Sequence, residues 1–257
     1  MLTRSLSARI GYLTHRNMCN HASTMAALMH PPATLEPRAS LSDRGFARLG
    51  PVLTDKQCEA LRESYADSKL FRSRVEMSRF GFGRGEYKYF ADPLPDLIAG
   101  LRERFYGELV GVANEWMGVL GKDVTYPFNL KDFLVTCREN GQDKPTPLLL
   151  RYRTGDFNCL HQDVYGAVVF PFQVIVCLST AGEDFTGGEL LLVEQRPRAQ
   201  SIGRVVNLSQ GEGVAITTRY RPVKGSRGYY QTAFRHGVSP ILSGERFTLG
   251  IIFHDAE

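Results

Sequence analysis

The spacing of apolar residues changes period once along the chain. Up to about residue 145 they recur at three- and four-residue intervals. "LTDKQCEALRESYADS" opens on a Thr54/Asp55 cap signal and sets Cys58, Leu61 and Tyr65 on one face, which predicts a helix. "LPDLIAGLRERFYGELVGVANEWMGVL" has Pro95 near its start and a stripe of Leu97, Ile98, Leu101, Phe105, Leu109 and Val112, the pattern of a long amphipathic helix. "LKDFLVTCREN" predicts one more, ended by Gly141. Between the first two, "RSRVEM" reads as a short strand and "SRFGFGRGEYKYF" as a glycine-rich, aromatic, basic loop.

From Thr146 onward the runs shorten. "PLLLRY", "FPFQVIVCLS", "GGELLLVEQ", "GRVVNLS", "GVAITT", "YYQTAFRHGV" and "RFTLGIIF" are β-rich blocks parted by Gly, Pro, Ser and charged turns. Seven or eight such strands predict a sandwich or barrel of jelly-roll type. The expected architecture is mainly β with supporting helices (α+β). One domain spans residues 41–257, with helical support and a lid in 41–145 and a double-stranded β-helix (jelly-roll) core in 146–257.

At 257 residues and 43% hydrophobic content the chain can bury a full core. No window approaches the ~18 consecutive apolar residues of a spanning helix, so no membrane role is expected. The net charge of +4 is uneven: residues 1–40 hold +3 of it, and the body is nearly neutral. Five scattered cysteines with no C-x-x-C pair read as free thiols in a reducing compartment, the cytoplasm. The first 35 residues lack Asp and Glu and are rich in Ser, Thr, Arg and His. Residues 1–40 are expected to be a poorly ordered extension or to precede the true start. An organellar transit segment is the alternative, and would move the location to an organelle.

Of six histidines, three fall in that extension, and the body keeps His161, His236 and His254. His161 and Asp163 stand one residue apart at a strand end, so both side chains can face one side. His236 comes from a different strand, "FRHGVS". Two His and one carboxylate can form a facial triad that leaves metal positions open. Equally, His236 could be a core histidine and His161/Asp163 a surface pair. Arg246, at the head of "RFTLGIIF", needs an anion if buried. A dicarboxylate held on the metal by its other end would supply one, with Thr248 adding a hydroxyl; a salt bridge to Glu245 or Glu189 is the alternative. His254 lies eight residues from Arg246, ~26 Å along an extended strand, and is expected to be structural.

"LLRYRTGDFNCLHQD" resembles the segment ending in H-x-D of Fe(II)/2-oxoglutarate dioxygenases, in both the AlkB-like alkylation-repair branch and the prolyl 4-hydroxylase branch. Over about Phe46 to His254, blocks such as "CLHQDVYG", "GGELLLVEQRPRAQS" and "RHGVSPILSGERFTLGIIFHD" are similar to a bacterial family of oxygenases acting on damaged DNA. The resemblance implies Fe(II) held by His161, Asp163 and His236, and the cosubstrate 2-oxoglutarate held by Arg246 with help from Tyr152. It implies O2 as the other reactant. The sequence departs from the AlkB-like pattern at Leu150, where that branch has Asn, and at Ile252, where it has a second Arg.

Damaged DNA or RNA is the favoured substrate class, with oxidative demethylation as the reaction. A protein side chain of prolyl type, or a small molecule, is the alternative, and a cupin-like binding module without turnover is a third. Three basic clusters could flank the mouth: Arg79/Arg84/Lys88, Arg196/Arg198/Arg204 and Arg219/Arg221/Lys224/Arg227. The first interleaves with Phe80, Phe82, Tyr87, Tyr89 and Phe90, a composition suited to base stacking and phosphate contact. Arg79, Arg84, Tyr87 and Lys88 are the expected substrate contacts. Gly81, Gly83 and Gly85 lack the strand-turn-helix setting of a dinucleotide site and suggest a mobile lid.

Overall fold

The computed structural model describes residues 35–257. The acid-free extension, with His15, His21, His30 and Cys19, lies outside the described residues. The helices are α1 (Leu35–Arg44), α2 (Asp55–Ser64), α3 (Asp96–Val119) and α4 (Leu130–Glu139). The strands are β1 (Phe46–Pro51), β2 (Phe71–Glu76), β3 (Gly83–Arg84), β4 (Glu86–Phe90), β5 (Leu148–Arg153), β6 (Phe157–His161) and β7 (Phe172–Cys177). They continue as β8 (Phe185–Gly187), β9 (Leu190–Gln195), β10 (Ile202–Val206), β11 (Glu212–Thr217), β12 (Tyr220–Gly225), β13 (Gly228–Val238) and β14 (Ile241–Ile252).

Eight of these strands make a jelly roll of two antiparallel sheets, β11-β7-β14-β5 facing β10-β9-β13-β6. The larger sheet is extended by β1 beyond β11 and by β4 and β2 beyond β5, and the smaller by β3 beyond β6. Every residue of β7 is buried, as a central strand covered on both faces requires. Val174 and Val176 turn to the helices, packing in one cluster with Ile98, Leu101, Phe105, Leu109, Val112 and Trp116 of α3. Ile175 and Cys177 turn inward, to Leu190, Leu192, Phe234 and Val238 of the opposing sheet. The Trp116 and Phe172 rings meet edge to face at 4.5 Å, and truncating such an aromatic to Ala costs about 3–5 kcal/mol.

Local signals act where the sequence places them. Thr54 and Gln57 form a reciprocal capping box at α2, and Gly141 takes φ +79° just past α4. Three features differ from expectation. Helix α1 straddles the boundary expected at residue 40; Leu41 is fully buried, and Arg221 Nη1 donates to Ser42 O at 2.7 Å. The support region also contributes β1, β2 and β4 to the larger sheet. The expected lid is pinned: β3 pairs with β6 and β4 with β5. An added Cβ at Gly83 would stand 2.4 Å from Phe157 O, so glycine serves close strand approach there, not hinge motion.

The cysteines Cys58, Cys137, Cys159 and Cys177 are free thiols. Among the described residues no helix is long and apolar enough to cross a membrane.

Candidate metal centre

His161 ends β6 and pairs directly with His236 of β13, while Val238 pairs with Asn158. Two steps along β13 thus face three along β6. This bulge aims both Asn158 and His161, which a regular strand would turn to opposite faces, into one cavity. Gly237 sits beside the bulge; a Cβ there would meet Asn158 O at 2.7 Å. The residue between the two candidate ligands holds the turn in place. Gln162 Nε2 donates to Arg219 O at 3.0 Å and to Phe234 O at 2.8 Å, stapling the H-x-D segment to β13.

One donor atom each from His161, Asp163 and His236 lies within 4.8 Å of the others. His236 Nε2 is 3.2 Å from Asp163 Oδ2 and His161 Nε2 is 3.5 Å from Asp163 Oδ1. His161 Nδ1 is 2.8 Å from Cys159 O, so its proton sits there and Nε2 keeps a free lone pair. Burial pushes the Asp163 carboxyl up, but the His161 and His236 imidazoles outweigh it and hold the group well below the usual carboxylate range. Burial, with His161 beside it, pushes His236 down. An ionised carboxylate and a neutral imidazole are the forms that bind a divalent metal.

Behind the triad stand Tyr165, which gave no signal in the sequence, and His254, expected there to be structural. Tyr165 Oη donates to Asp163 Oδ1 at 2.7 Å. His254, fully buried, lies with its ring 5.9 Å from that of Tyr165. Burial pushes His254 down to about 4. It is far from Arg246 along β14, yet the chain leaving β6 passes its end, so His254 backs the triad through Tyr165 and stays outside the ligand set.

The triad opens on a cavity of about 350 Å3 lined by Tyr87, Leu148, Leu150, Tyr152, Asn158, Tyr165, Gln173, Ile175, Arg246 and Thr248, among others. Arg246 is 3% exposed, and its Nε and Nη1 have no hydrogen-bond partner among the described residues. The salt bridge weighed as its alternative does not form: Glu245 accepts from Arg151 at 2.6 Å and from Arg153 at 3.1 Å, and Glu189 is bound by Ser239. A buried guanidinium that forms no salt bridge among the described residues, on the wall of a cavity that also holds two imidazoles and a carboxylate, would suit a ligand with a free carboxylate. Tyr152, fully buried, places its ring 5.9 Å from the Arg246 guanidinium carbon. Thr248 lies two residues from Arg246 on the same strand face. Asn158 Nδ2 donates to Tyr152 Oη at 3.3 Å, bringing an amide to the place where Leu150 offers none.

The expected substrate contacts scatter. Tyr87 lines the cavity. Lys88, its neighbour in β4, points to the other face, donating to Tyr65 O at 2.7 Å with its ammonium over the Tyr65 and Phe71 rings. Arg79 pairs with Glu76, and Arg84 lies 4.0 Å from Asp156; both are largely exposed. In the other two basic clusters, Arg196, Arg204 and Arg221 converge on Glu194, which is fully buried. Arg221 is buried there, while Arg196 and Arg204 keep part of their side chains exposed.

Residues 85–256 match the model of a family described as oxygenases catalysing oxidative methylation of damaged DNA. An uncharacterized protein of Mycobacterium tuberculosis is 50% identical over 167 residues, covering 65% of this chain and 72% of the relative. Among solved structures, a Pseudomonas putida prolyl-4-hydroxylase superposes with a TM-score of 0.52 at 14% identity, covering 86% of this chain and 97% of that one. A prolyl hydroxylase from Trichoplax adhaerens, in complex with a hypoxia inducible factor peptide fragment, gives a TM-score of 0.50 at 13% identity, covering 86% and 88%. These two likenesses establish the shared fold.

Proposed function

The chain belongs to the oxygenase family described as catalysing oxidative methylation of damaged DNA, and from that premise we propose that it is an Fe(II)- and 2-oxoglutarate-dependent dioxygenase whose substrate is an N-methylated base of nucleic acid. In this reading His161, Asp163 and His236 hold Fe(II), and Arg246, with Tyr152 and Thr248, holds the distal carboxylate of 2-oxoglutarate. Iron, 2-oxoglutarate and O2 together supply an oxidant that replaces a C–H hydrogen with hydroxyl, giving succinate and CO2. The observation that carries the reading is Arg246, an unpartnered buried cation facing the same cavity as three metal donors.

The rest of the work falls to the chain. Cys159 O fixes the His161 tautomer, and Tyr165 fixes the Asp163 carboxylate. Gln162 keeps the turn between them from drifting. Arg246 can grip a carboxylate with two parallel N–H donors, which sets the direction of the cosubstrate as well as its affinity. Leu148, Leu150, Ile175 and Val238 wall the cavity with hydrocarbon and keep water from it. A hydroxylated N-methyl group is a hemiaminal, which breaks down to formaldehyde and the free amine, so the net outcome is loss of the methyl group.

The test is release of formaldehyde and succinate from methylated oligonucleotides with added Fe(II). Equal amounts of both are expected, and neither from the unmethylated strand. Turnover of a peptide or small molecule with none of the oligonucleotides would move the substrate to that class. Iron binding with no turnover of any substrate would favour the binding module.

A further inference from the structure

The cavity has two ends, and the proposed cosubstrate accounts for one. Strand β14 carries Arg246, Thr248, Gly250 and Ile252 along one face, and its register with β7 sets Cys177, Ile175 and Gln173 opposite the last three. Gln173 is thus displaced from Arg246 by about six residues of strand, roughly 20 Å. Tyr165 and His254, whose rings pack together, also belong to the Gln173 end, since His254 follows Ile252 by two residues. The metal donors reach this end through the Tyr165 bond to Asp163.

Gln173 is 2% exposed and lines the cavity, and its amide Nε2 has no hydrogen-bond partner among the described residues. Packing alone does not call for an amide here, because an apolar side chain of the same length would fill the space without leaving a donor unpaired. Much of the lining is apolar: Leu148, Ile175, the rings of Tyr87 and Tyr165, and Gly250, where an added Cβ would strike Leu148 at 2.7 Å. The other amides lining the cavity are engaged, Asn158 by Tyr152 Oη and Gln162 by two carbonyls. A free amide donor beside aromatic and aliphatic walls suits a planar heterocycle with a polar edge. An extended peptide would bring an N–H and a C=O at every residue and leave most of them unpaired.

We propose that Gln173 reads the substrate, its Nε2 donating to a carbonyl oxygen or ring nitrogen of an N-methylated nucleobase lodged against Tyr87 and Tyr165. The assignment rests on the nucleic-acid reading above and names the residue that, within it, tells a methylated base from other occupants.

The experiment compares wild type with Gln173→Met, which keeps side-chain length and removes the amide. The probe is a fluorescent single-stranded oligonucleotide with or without one N1-methyladenine, titrated against metal-free protein. Wild type is expected to prefer the methylated strand, and Gln173→Met to lose about tenfold or more of that preference. Its affinity for the unmethylated strand and its melting temperature should be unchanged or slightly raised, whereas a merely structural glutamine would lower the melting temperature. Gln173→Asn, which withdraws the amide by one methylene, should lose part of the preference and serves if the Met variant fails to fold. An undiminished preference in either folded variant overturns the assignment and leaves the function standing. A wild type that neither prefers the methylated strand nor releases formaldehyde from it sinks the function and the assignment together.

Discussion

His161 and His236 face each other across the β6–β13 pair with ring centroids 4.2 Å apart. The two strands are far apart in sequence, and the bulge beside them decides whether both imidazoles point inward. Gly237 permits that bulge. The methyl group of Gly237→Ala would press on Asn158 O at 2.7 Å and Cys159 O at 3.1 Å, both backbone atoms that cannot rotate away. The variant should lose about 1–3 kcal/mol of stability and tenfold or more in affinity for Fe(II) or Co(II), as β6 shifts against β13. Thermal melting and a metal titration check the two effects. Full metal affinity in a destabilised variant would show that the triad does not depend on the bulge.

Tyr165→Phe removes only the hydroxyl that donates to Asp163 Oδ1. Groups behind a ligand that fix its orientation are worth roughly 10–100-fold in metal affinity. A Co(II) titration of the variant should fall in that range, with the melting point of the metal-free protein little changed. Unchanged affinity would mean that the two histidines orient the carboxylate unaided.

Much of this arrangement is legible in the sequence, and the remainder is hidden for identifiable reasons. The seven apolar runs quoted after Thr146 coincide with β5, β7, β9, β10, β11, β13 and β14, because strands packed in a double sheet must carry a buried face. β6 escapes notice: the bulge breaks its alternation, and Cys159 and Leu160 are exposed. β4 hides inside a glycine-rich stretch, although Tyr87 and Tyr89 do alternate with Lys88 and Phe90. The convergence of His161, Asp163 and His236 is legible because ionisable residues are scarce at the ends of apolar strands. Asn158, Gln162, Tyr165 and Gln173 are not: Asn158 and Gln162 acquire their roles from partners distant in the chain, and Tyr165 and Gln173 from where the fold places them beside the cavity. Arg196, Arg204 and Arg221 mislead for the converse reason: nothing in "GGELLLVEQ" shows that Glu194 will be buried deeply enough to gather all three.

Arg246→Met and Arg246→Lys separate charge from shape. Replacing a buried, unpartnered guanidinium by an apolar side chain relieves a desolvation cost, so the metal-free Met variant should be as stable as wild type or more so. Its affinity for 2-oxoglutarate should be lost. The Lys variant keeps a positive charge but not the two-pronged donor, and should raise the 2-oxoglutarate KM with metal binding intact. Loss of metal in either variant would place Arg246 among the supports of the triad, not on the cosubstrate.

Glu194 provides a test of the fold at acid pH. Burial pushes its carboxyl up, but Arg221 and Arg196 outweigh burial and hold it below its ordinary value. A carboxylate depressed by folding contributes stability that is fully present above its unfolded pKa of about 4.3 and is lost as pH falls through the lower folded value. At neutral pH Glu194→Gln leaves Arg221, itself 2% exposed, without its counter-charge, and should cost about 3–5 kcal/mol. Below the unfolded pKa of about 4.3 the unfolded chain takes up a proton that the folded wild type resists, so the gap between the two proteins should narrow as pH falls. Chemical denaturation at pH 7, 5 and 3.5 measures it. A gap of constant size across that range would mean that the loss comes from hydrogen-bond geometry that glutamine fails to reproduce, and not from the charge of Glu194.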